Sequence, residues 1–424
     1  MPREDIIAIA VDCTASTILP VDGELVPLST RYPDRPHAYV KLWKHHGAQP
    51  EADEINEKLG TFENDVQAYY GERISSEIVL PKVLQILRDD PEIYRAADAI
   101  LEVPDWLNRL MTGERKQSIS SAGYKAMYFN EKGYPTRDFL CRIDPALEGF
   151  IDEKLNGAIC PLDKPFGALL PEWAEKLHLA AGTIVGCSII DAHACMIGCG
   201  ITDPGRMMLV LGTSSVQSVL SNSTYSGGGI IGTIRDCIVP GYYAWESGLA
   251  AVGDQFAWYA DNYAGVAPCA TAEELAARLE ALTRNAAALA PDENGPIALD
   301  WWNGNKTLYV RGDLSGSIYG LRLNTTSARL FRAMIESTAF GTRCIMDHFA
   351  GAGAQVDDII ACGGRKFPSI LRDSRRSRKR KIRRGSRFWR ASALRRTAKR
   401  QLTPPDFEIT ASAQGSTTLR RYIG

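Results

Sequence analysis

The chain has 424 residues, of which 45% are hydrophobic and 23% are charged, and its formal net charge is −1. This composition is typical of a folded globular protein, and the length favours two domains over one compact core. No apolar run is long enough to cross a bilayer, and the acidic amino-terminal segment lacks the layout of a signal peptide. We therefore expect no membrane association and a cytoplasmic location.

Strand-like and helix-like segments alternate along the chain, which predicts an α/β fold. The first predicted strand covers residues 6–11 and ends at a polar turn, residues 12–16. Asp34, Pro36 and Gly47 then frame a predicted helix, because they fit an N-cap, a first-turn proline and a glycine stop. Further predicted helices are 81–88, 105–111, 171–179, 250–263, 272–289 and 328–349, and the last leads into a strand at 358–362.

Asp191 and the turn Gly212-Thr213-Ser214 each allow two interpretations. Asp191 follows the apolar run 183–190, so it could cap a helix that begins at Ala192 or present a carboxylate at a strand end. The turn lies between two apolar runs, so it could be an ordinary hairpin turn or a loop whose backbone N–H groups face a phosphate chain. From the local sequence alone, the cap and the hairpin are the commoner cases.

Other polar residues are less distinctive. Lys125 would ordinarily be a surface lysine, whereas Glu246 lies among aromatic residues and glycines, where burial would require a hydrogen-bonding partner. The ten cysteines are scattered and include no CxxC pair. They predict free, buried thiols in a reducing compartment, and not a zinc site.

Several segments recur in order in one known family. They are VDCTASTILPVD (11–22), HAYVKLWKHHGAQPEADEIN (37–56), SAGYKAMY (121–128), IIDAHA (189–194), LGTSS (211–215), the segment around Glu246, LDWWNGN (299–305), ESTAFGTR (336–343) and ACGG (361–364). Together they resemble the FGGY carbohydrate kinases, and within that family the ribulokinase branch. The resemblance covers residues 5–364.

The resemblance implies a two-domain, actin-like ATPase fold built from ribonuclease-H-like domains. Residues 1–202 would be the sugar-binding domain and residues 203–364 the nucleotide-binding domain, both incomplete. The implied reaction transfers the γ-phosphate of ATP, with Mg²⁺, to the terminal hydroxyl of L-ribulose. Another pentulose as substrate remains an alternative, and a homodimer is an open option.

The resemblance also assigns residues to roles. Asp191 matches the catalytic base, which takes the proton from the attacking hydroxyl and also contacts the sugar. The other matching sugar-binding positions are Ala15, Trp43, Lys125 and Glu246, with Trp43 on a helix that closes over the sugar. The matching nucleotide-binding positions are Gly212, Thr213 and Ser214 in the phosphate turn and Gly363 and Gly364 in the adenosine loop. No residue is assigned to a metal.

The chain departs from the family pattern at both ends. It begins beyond a hairpin whose Asp-x-Gly-Thr turn helps family members to position magnesium and the γ-phosphate. After Gly364 the sequence becomes strongly basic, with 17 Lys and Arg residues and one acidic residue in residues 365–400. We interpret residues 365–424 as a disordered basic tail from a reading-frame shift, and the alternative is an arm that binds nucleic acid.

These departures leave two classes of function. The first is a sugar kinase, or the remains of one, whose turnover the missing segments would weaken. The second is a noncatalytic protein that binds sugar or, through its tail, nucleic acid. Unpaired strand edges and exposed apolar faces in an incomplete fold predict poor solubility.

Overall fold

The computed structural model describes residues 2–59, 70, 72–265, 267–290, 292, 294–363, 408–411 and 417–420. The described residues form two compact units. Unit 1 comprises the residues up to Ala251 together with Trp301–Ser315 and Cys344–Gly363. Unit 2 comprises Val252–Asp300, Gly316–Arg343 and the described residues after Gly363. The functional division at residues 202 and 203 remains a prediction.

Helices are distributed over both units. The helices of unit 1 are α1 (Gln49–Leu59), α2 (Val79–Asp89), α3 (Pro91–Ala96), α4 (Val103–Thr112), α5 (Ile119–Lys125), α6 (Arg137–Ile143), α7 (Pro171–Leu177) and α8 (Asp191–Gly198). Unit 2 contains α9 (Gly253–Tyr263) and α10 (Ala272–Ala287), and α11 (Ser327–Gly351) runs from unit 2 into unit 1. The predicted helices after residue 80 are confirmed, with ends that differ by a few residues.

The strands are mostly short. They are β1 (Ala8–Ile9), β2 (Asp12–Cys13), β3 (Ile18–Val21), β4 (Ala99–Glu102), β5 (Lys116–Ser118), β6 (Ala158–Cys160), β7 (Pro165–Ala168), β8 (Ile184–Gly186), β9 (Ile189–Ile190), β10 (Gly205–Leu211), β11 (Ser215–Ser221), β12 (Gly232–Arg235), β13 (Tyr243–Leu249), β14 (Ile297–Leu299), β15 (Ser317–Tyr319), β16 (Val356–Gly363), β17 (Glu408–Ala411) and β18 (Thr417–Arg420). Within the basic tail, β17 and β18 pair antiparallel, and the tail's other residues lie outside the described ones.

A five-stranded sheet organises unit 1, in the order β12-β13-β11-β10-β16. Adjacent strands of this sheet pair antiparallel, except β10 and β16, which pair parallel. Met207, Met208 and Leu209 of β10 are all buried, as the apolar run MMLVL predicts for a strand covered on both faces. Parallel pairing brings the carboxyl ends of β10 and β16 to the same sheet edge.

Smaller sheets complete the amino-terminal half of unit 1. Strand β1 pairs parallel with β8, and β7 pairs antiparallel with β8. Strand β2 pairs parallel with β9, and β3 pairs antiparallel with β4. The single strand predicted at residues 6–11 is therefore two short strands, which pair with different partners. Helix α2 packs its buried residues into the large core of this unit.

The helix predicted between Asp34 and Gly47 is wrong. Only a 3₁₀ turn at Pro36–Ala38 forms there, and Lys41 makes an isolated antiparallel bridge with Ile18. Two backbone hydrogen bonds hold this bridge, with N···O distances of 3.1 and 2.9 Å. The reason is that pairing with the edge of β3 satisfies the backbone at Lys41, so the helical spacing of the side chains is not used.

Unit 2 has its own aromatic core. The Phe331 ring of α11 packs against Phe256 and Tyr259 of α9, with ring centroids 5.4 and 5.8 Å apart. The Tyr259 hydroxyl donates to the carbonyl oxygen of Ser327 at 3.0 Å, and Gln255 donates to the Thr338 hydroxyl at 2.7 Å. These contacts join the two helices along one face.

Candidate active site

Asp191 is the first residue of α8 and directly follows β9. Its side chain is exposed, and one carboxylate oxygen accepts from the Ala192 backbone N–H at 2.6 Å. Asp191 is therefore the first helical residue and not the N-cap, which is Ile190 and makes no side-chain cap hydrogen bond, so the predicted cap at Asp191 does not form. The exposed side chain lies directly after a strand, which is compatible with the chemical interpretation.

His193, two residues further along α8, connects this helix to Glu246 on β13. Its Nε2 lies 2.8 Å from a Glu246 carboxylate oxygen, and both side chains are buried. The opposite ring nitrogen lies 3.3 Å from the Ser120 hydroxyl, and the Tyr124 ring packs against the imidazole at a centroid distance of 4.4 Å. The predicted need of Glu246 for a hydrogen-bonding partner is therefore met.

Two lysines give the Glu246 region its electrostatic character. Burial alone would raise the pKa of Glu246, but the hydrogen bond from His193 and the charges of Lys125, His193 and Lys306 lower it to about 2. Lys306 also forms an ion pair with Glu77, with the two atoms 3.3 Å apart. Lys125 ends α5 in a half-buried position, so it is not a surface lysine.

Ala15 lies in the turn between β2 and β3, two residues after β2 ends at Cys13. The parallel register pairs Asp12 with Ile189 and Cys13 with Ile190, so the residues that follow these strands emerge at one edge. The Asp191 charge accordingly acts on the Cys13 thiol, whose pKa is raised mainly by burial. Strand pairing therefore brings the segments that carry Ala15 and Asp191, two of the predicted sugar-binding positions, to the same edge.

Trp43 is half-buried and lies just after the bridge at Lys41. It is not on a helix, so the predicted helical closure over the sugar has no counterpart in this segment. What fixes the segment instead is the pairing of Lys41 with β3, together with a hydrogen bond from Lys82 to the Leu42 carbonyl oxygen at 3.0 Å.

Gly212, Thr213 and Ser214 form the turn of the β10–β11 hairpin. The Gly212 N–H donates to the Ser214 carbonyl oxygen at 2.9 Å, and the Thr213 side chain is exposed. The prediction that these residues form a hairpin turn is therefore confirmed. A phosphate role for the same backbone remains a prediction.

Gly363 ends β16 beside this turn, opposite Leu211. Its φ is +142°, and a Cβ atom there would lie 1.9 Å from the Leu211 carbonyl oxygen. Only glycine allows the two strands to approach so closely. Gly364, the other predicted adenosine-loop residue, lies outside the described residues.

Helix α8 also contacts the strand that ends at Gly363. Burial raises the pKa of the Cys195 thiol of α8, and the neighbouring Cys362 thiol of β16 opposes that rise. One short helix therefore contacts Glu246 through His193 and β16 through Cys195, with Asp191 at its amino end. Helix α8 therefore connects three predicted parts of the site: the base Asp191, the sugar contact Glu246 and the sheet edge that carries the Gly212 turn.

Neither metal clusters nor membrane spans occur in the part of the chain that the structure describes. No group of three or more His, Cys, Asp and Glu side chains there is placed to hold a metal ion. No helix there combines the length and apolarity that a membrane crossing requires.

Comparison with known proteins identifies the family. A model of the carboxyl-terminal domain of the FGGY family of carbohydrate kinases matches residues 207–370. The ribulokinase of Bacillus licheniformis is 40% identical over 375 residues, which cover 87% of this chain and 68% of that protein. The chain belongs to the FGGY carbohydrate kinases. The ribulokinase of Halalkalibacterium halodurans is 42% identical over 364 residues, which cover 85% of this chain and 65% of that protein.

Solved structures of FGGY kinases confirm the predicted fold class. The xylulose kinase from Rhodospirillum rubrum superposes with a TM-score of 0.66 at 23% identity, covering 84% of this chain and 67% of that one. The Brucella ovis protein described as a xylulose kinase gives a TM-score of 0.67 at 18% identity, covering 85% and 69%. This FGGY chain therefore has the actin-like, ribonuclease-H-like architecture, and it spans less than two thirds of the Halalkalibacterium ribulokinase.

Sequence reasoning missed four charged or polar residues around the site. They are Glu77, Lys82, His193 and Lys306. Each contacts a partner that is distant in sequence. Glu77 and Lys306, for example, are 229 positions apart. Only IIDAHA, which contains His193, gave any local signal, because it already stood among the family-like segments.

Proposed function

We propose that this FGGY chain is a sugar kinase of the ribulokinase type, which transfers the γ-phosphate of ATP to the terminal hydroxyl of L-ribulose. The observation that carries the proposal is helix α8, which presents Asp191 at its amino end while contacting Glu246 and β16. The ribulokinase names of relatives at 40 and 42% identity support L-ribulose as the substrate.

In this proposal Asp191 is the catalytic base. Its exposed carboxylate accepts the proton of the attacking hydroxyl, as kinases require of the group beside the nucleophile. The charged Glu246 accepts hydrogen bonds from sugar hydroxyls, and Lys125 donates to them. Ala15 and Trp43 border the sugar on the side of β2 and β3.

The chain's residues also fit a nucleotide. A turn of small residues with an exposed Thr213 offers backbone N–H groups to phosphates, and Gly363 ends the neighbouring strand at the same sheet edge. Bound ATP supplies the phosphoryl group. Mg²⁺ would be held mainly by its waters and the phosphate oxygens, as is usual for this ion. In this proposal Gly212, Thr213 and Ser214 hold the phosphates, and Gly363 and Gly364 begin the adenosine loop.

The test is L-ribulose-dependent formation of ADP by the whole purified chain. Asp191→Asn removes the base and should lower the rate about 10²–10⁴-fold, with sugar binding retained. Asp203→Asn, an exposed change of the same kind outside the site, should leave the rate unchanged. D-xylulose and D-ribulose are tested in parallel, and a preference for either would reassign the substrate.

Sugar binding without turnover would support the noncatalytic alternative instead. Equal rates in the wild type and Asp191→Asn would refute the assigned base. Isothermal titration calorimetry with L-ribulose alone separates these cases, because binding is measured without the chemical step.

A further inference from the structure

Lys82 is a buried lysine with no part in the proposed chemistry. It lies on α2, and none of its surface is exposed. Its ammonium donates to the Ser16 carbonyl oxygen at 2.6 Å, the Ser16 hydroxyl at 3.1 Å and the Leu42 carbonyl oxygen at 3.0 Å. An ammonium has three N–H donors, so each has a partner.

The three acceptors belong to two segments that carry proposed sugar contacts. Ser16 follows Ala15, and Leu42 precedes Trp43. The segments also meet at the bridge between Ile18 and Lys41. Lys82 therefore joins them at a second point, directly beside the two residues that would border the sugar.

The turn that Lys82 holds is strained and is fixed from its other side too. Ser16 has a φ of 51°, in the left-handed region that residues other than glycine seldom adopt. The Thr14 and Thr17 hydroxyl oxygens are 2.7 Å apart, and the Thr17 N–H donates to Glu102 at 2.8 Å. Such a conformation persists only where surrounding contacts determine it, and here Lys82 and Glu102 supply those contacts.

Burying the Lys82 ammonium is unfavourable, so packing alone does not explain why a lysine occupies this position. Burial lowers its pKa to about 8, the charges of Glu102 and Glu77 oppose that shift, and Lys125 and Lys41 add to it. All three hydrogen-bond acceptors are uncharged. A buried hydrophobic side chain of similar volume often serves stability as well as a buried charge does. What the lysine adds is fixed geometry in the two segments.

We propose that Lys82, assisted by Glu102, is a positioning residue that holds the 14–17 turn and the Leu42–Trp43 segment in place for the sugar. The inference rests on the proposed function, because only there are Ala15 and Trp43 sugar contacts. It predicts that loss of the Lys82 donors weakens sugar binding while nucleotide binding is unchanged.

The experiment uses the whole chain with Lys82→Met, which keeps the volume and removes the donors. We expect the Kd for L-ribulose to rise at least about tenfold, as for loss of charged hydrogen bonds, with the KM for ATP unchanged. Backbone amides of residues 14–17 and 41–43 should exchange with deuterium faster. Lys154→Met is the matched control, since this buried lysine donates to the Ala97 carbonyl oxygen at 2.6 Å and contacts neither segment.

Each outcome decides one question. Unchanged sugar affinity and unchanged exchange in Lys82→Met overturn the inference. Faster exchange throughout the chain would indicate a merely structural role and also overturns it. A wild-type chain that binds no L-ribulose refutes the proposed function, and exchange in the two segments then still decides whether Lys82 holds them. Glu102→Gln, which keeps an acceptor for Thr17, should change sugar affinity less than Lys82→Met.

Discussion

The hydrogen bond from His193 and the charges of nearby basic residues explain how Glu246 can remain charged inside unit 1. Desolvation favours the protonated acid, but His193 and the two nearby lysines favour the carboxylate more strongly. Removal of His193 would leave a buried acid with one partner fewer. The same argument makes the carboxylate a ready acceptor for sugar hydroxyls, because it is ionised before any ligand arrives.

The low pKa of Glu246 predicts a specific dependence of stability on pH. The pKa is about 2 in the folded chain and 4.5 as the reference value, so the ionised group adds to the free energy of unfolding above pH 4.5. This contribution is lost as the pH falls from 4.5 towards 2. Its size is roughly 3 kcal/mol, from 1.36 kcal/mol per pKa unit. Urea unfolding of the wild type and Glu246→Gln should therefore converge at low pH.

Glu172→Gln, an exposed substitution on α7, serves as the control and should follow the wild type at every pH. Parallel curves for the wild type and Glu246→Gln between pH 5 and 3 would show that the Glu246 carboxylate is not stabilised in the fold.

At the scale of elements, local sequence patterns predicted the helices and strands that only need to bury an apolar face in the core. Helix α2 and helix α11 have buried faces at helical spacing, and β16 follows from an apolar run. The segment around Lys41 failed because its structure depends on pairing with Ile18, which no local pattern encodes. The site divides in the same way: family-like segments indicated Asp191, whereas the contact of His193 with Glu246 spans 53 positions.

Gly363 offers a test of how β16 meets β10. In Gly363→Ala the new methyl group would overlap the Leu211 carbonyl oxygen at a φ unfavourable for alanine. The strands must separate at the edge that carries the Gly212 turn, so we expect a loss of roughly 2–4 kcal/mol in the free energy of unfolding. Weaker ATP binding should accompany it. Thermal unfolding and nucleotide titration measure the two effects.

Gly312→Ala is the matched control, because a Cβ there meets nothing within 4 Å. It should change the melting temperature little. If both alanine variants melt alike, the close approach of Gly363 to Leu211 does not constrain the strand pair.

At the scale of the whole molecule, unit 2 exposes large apolar side chains close together in sequence. Tyr319 is 66% exposed, Leu321 is 59% exposed and Leu323 is fully exposed. Such a patch favours self-association, because its burial removes apolar surface from water. We expect the purified chain to bind an apolar dye and to elute from a sizing column ahead of its monomer mass.

Replacement of both leucines by lysine, Leu321→Lys with Leu323→Lys, should reduce dye binding and shift elution towards the monomer. Leu177→Lys on α7 removes an exposed leucine from unit 1 and should have less effect. Unchanged elution in the double variant would place the cause of self-association elsewhere.

Helix α8 has only eight residues, so about 12 Å of backbone carries Asp191, His193 and Cys195. Asp191 and Cys195 are four residues apart and share a face, while His193 points to the other side. A rotation of this helix that favours one of its contacts must disturb the others. Substitutions at Glu246 and Cys362, which lie on different strands, should therefore have non-additive effects on activity. A double-mutant cycle would express that dependence as one coupling energy.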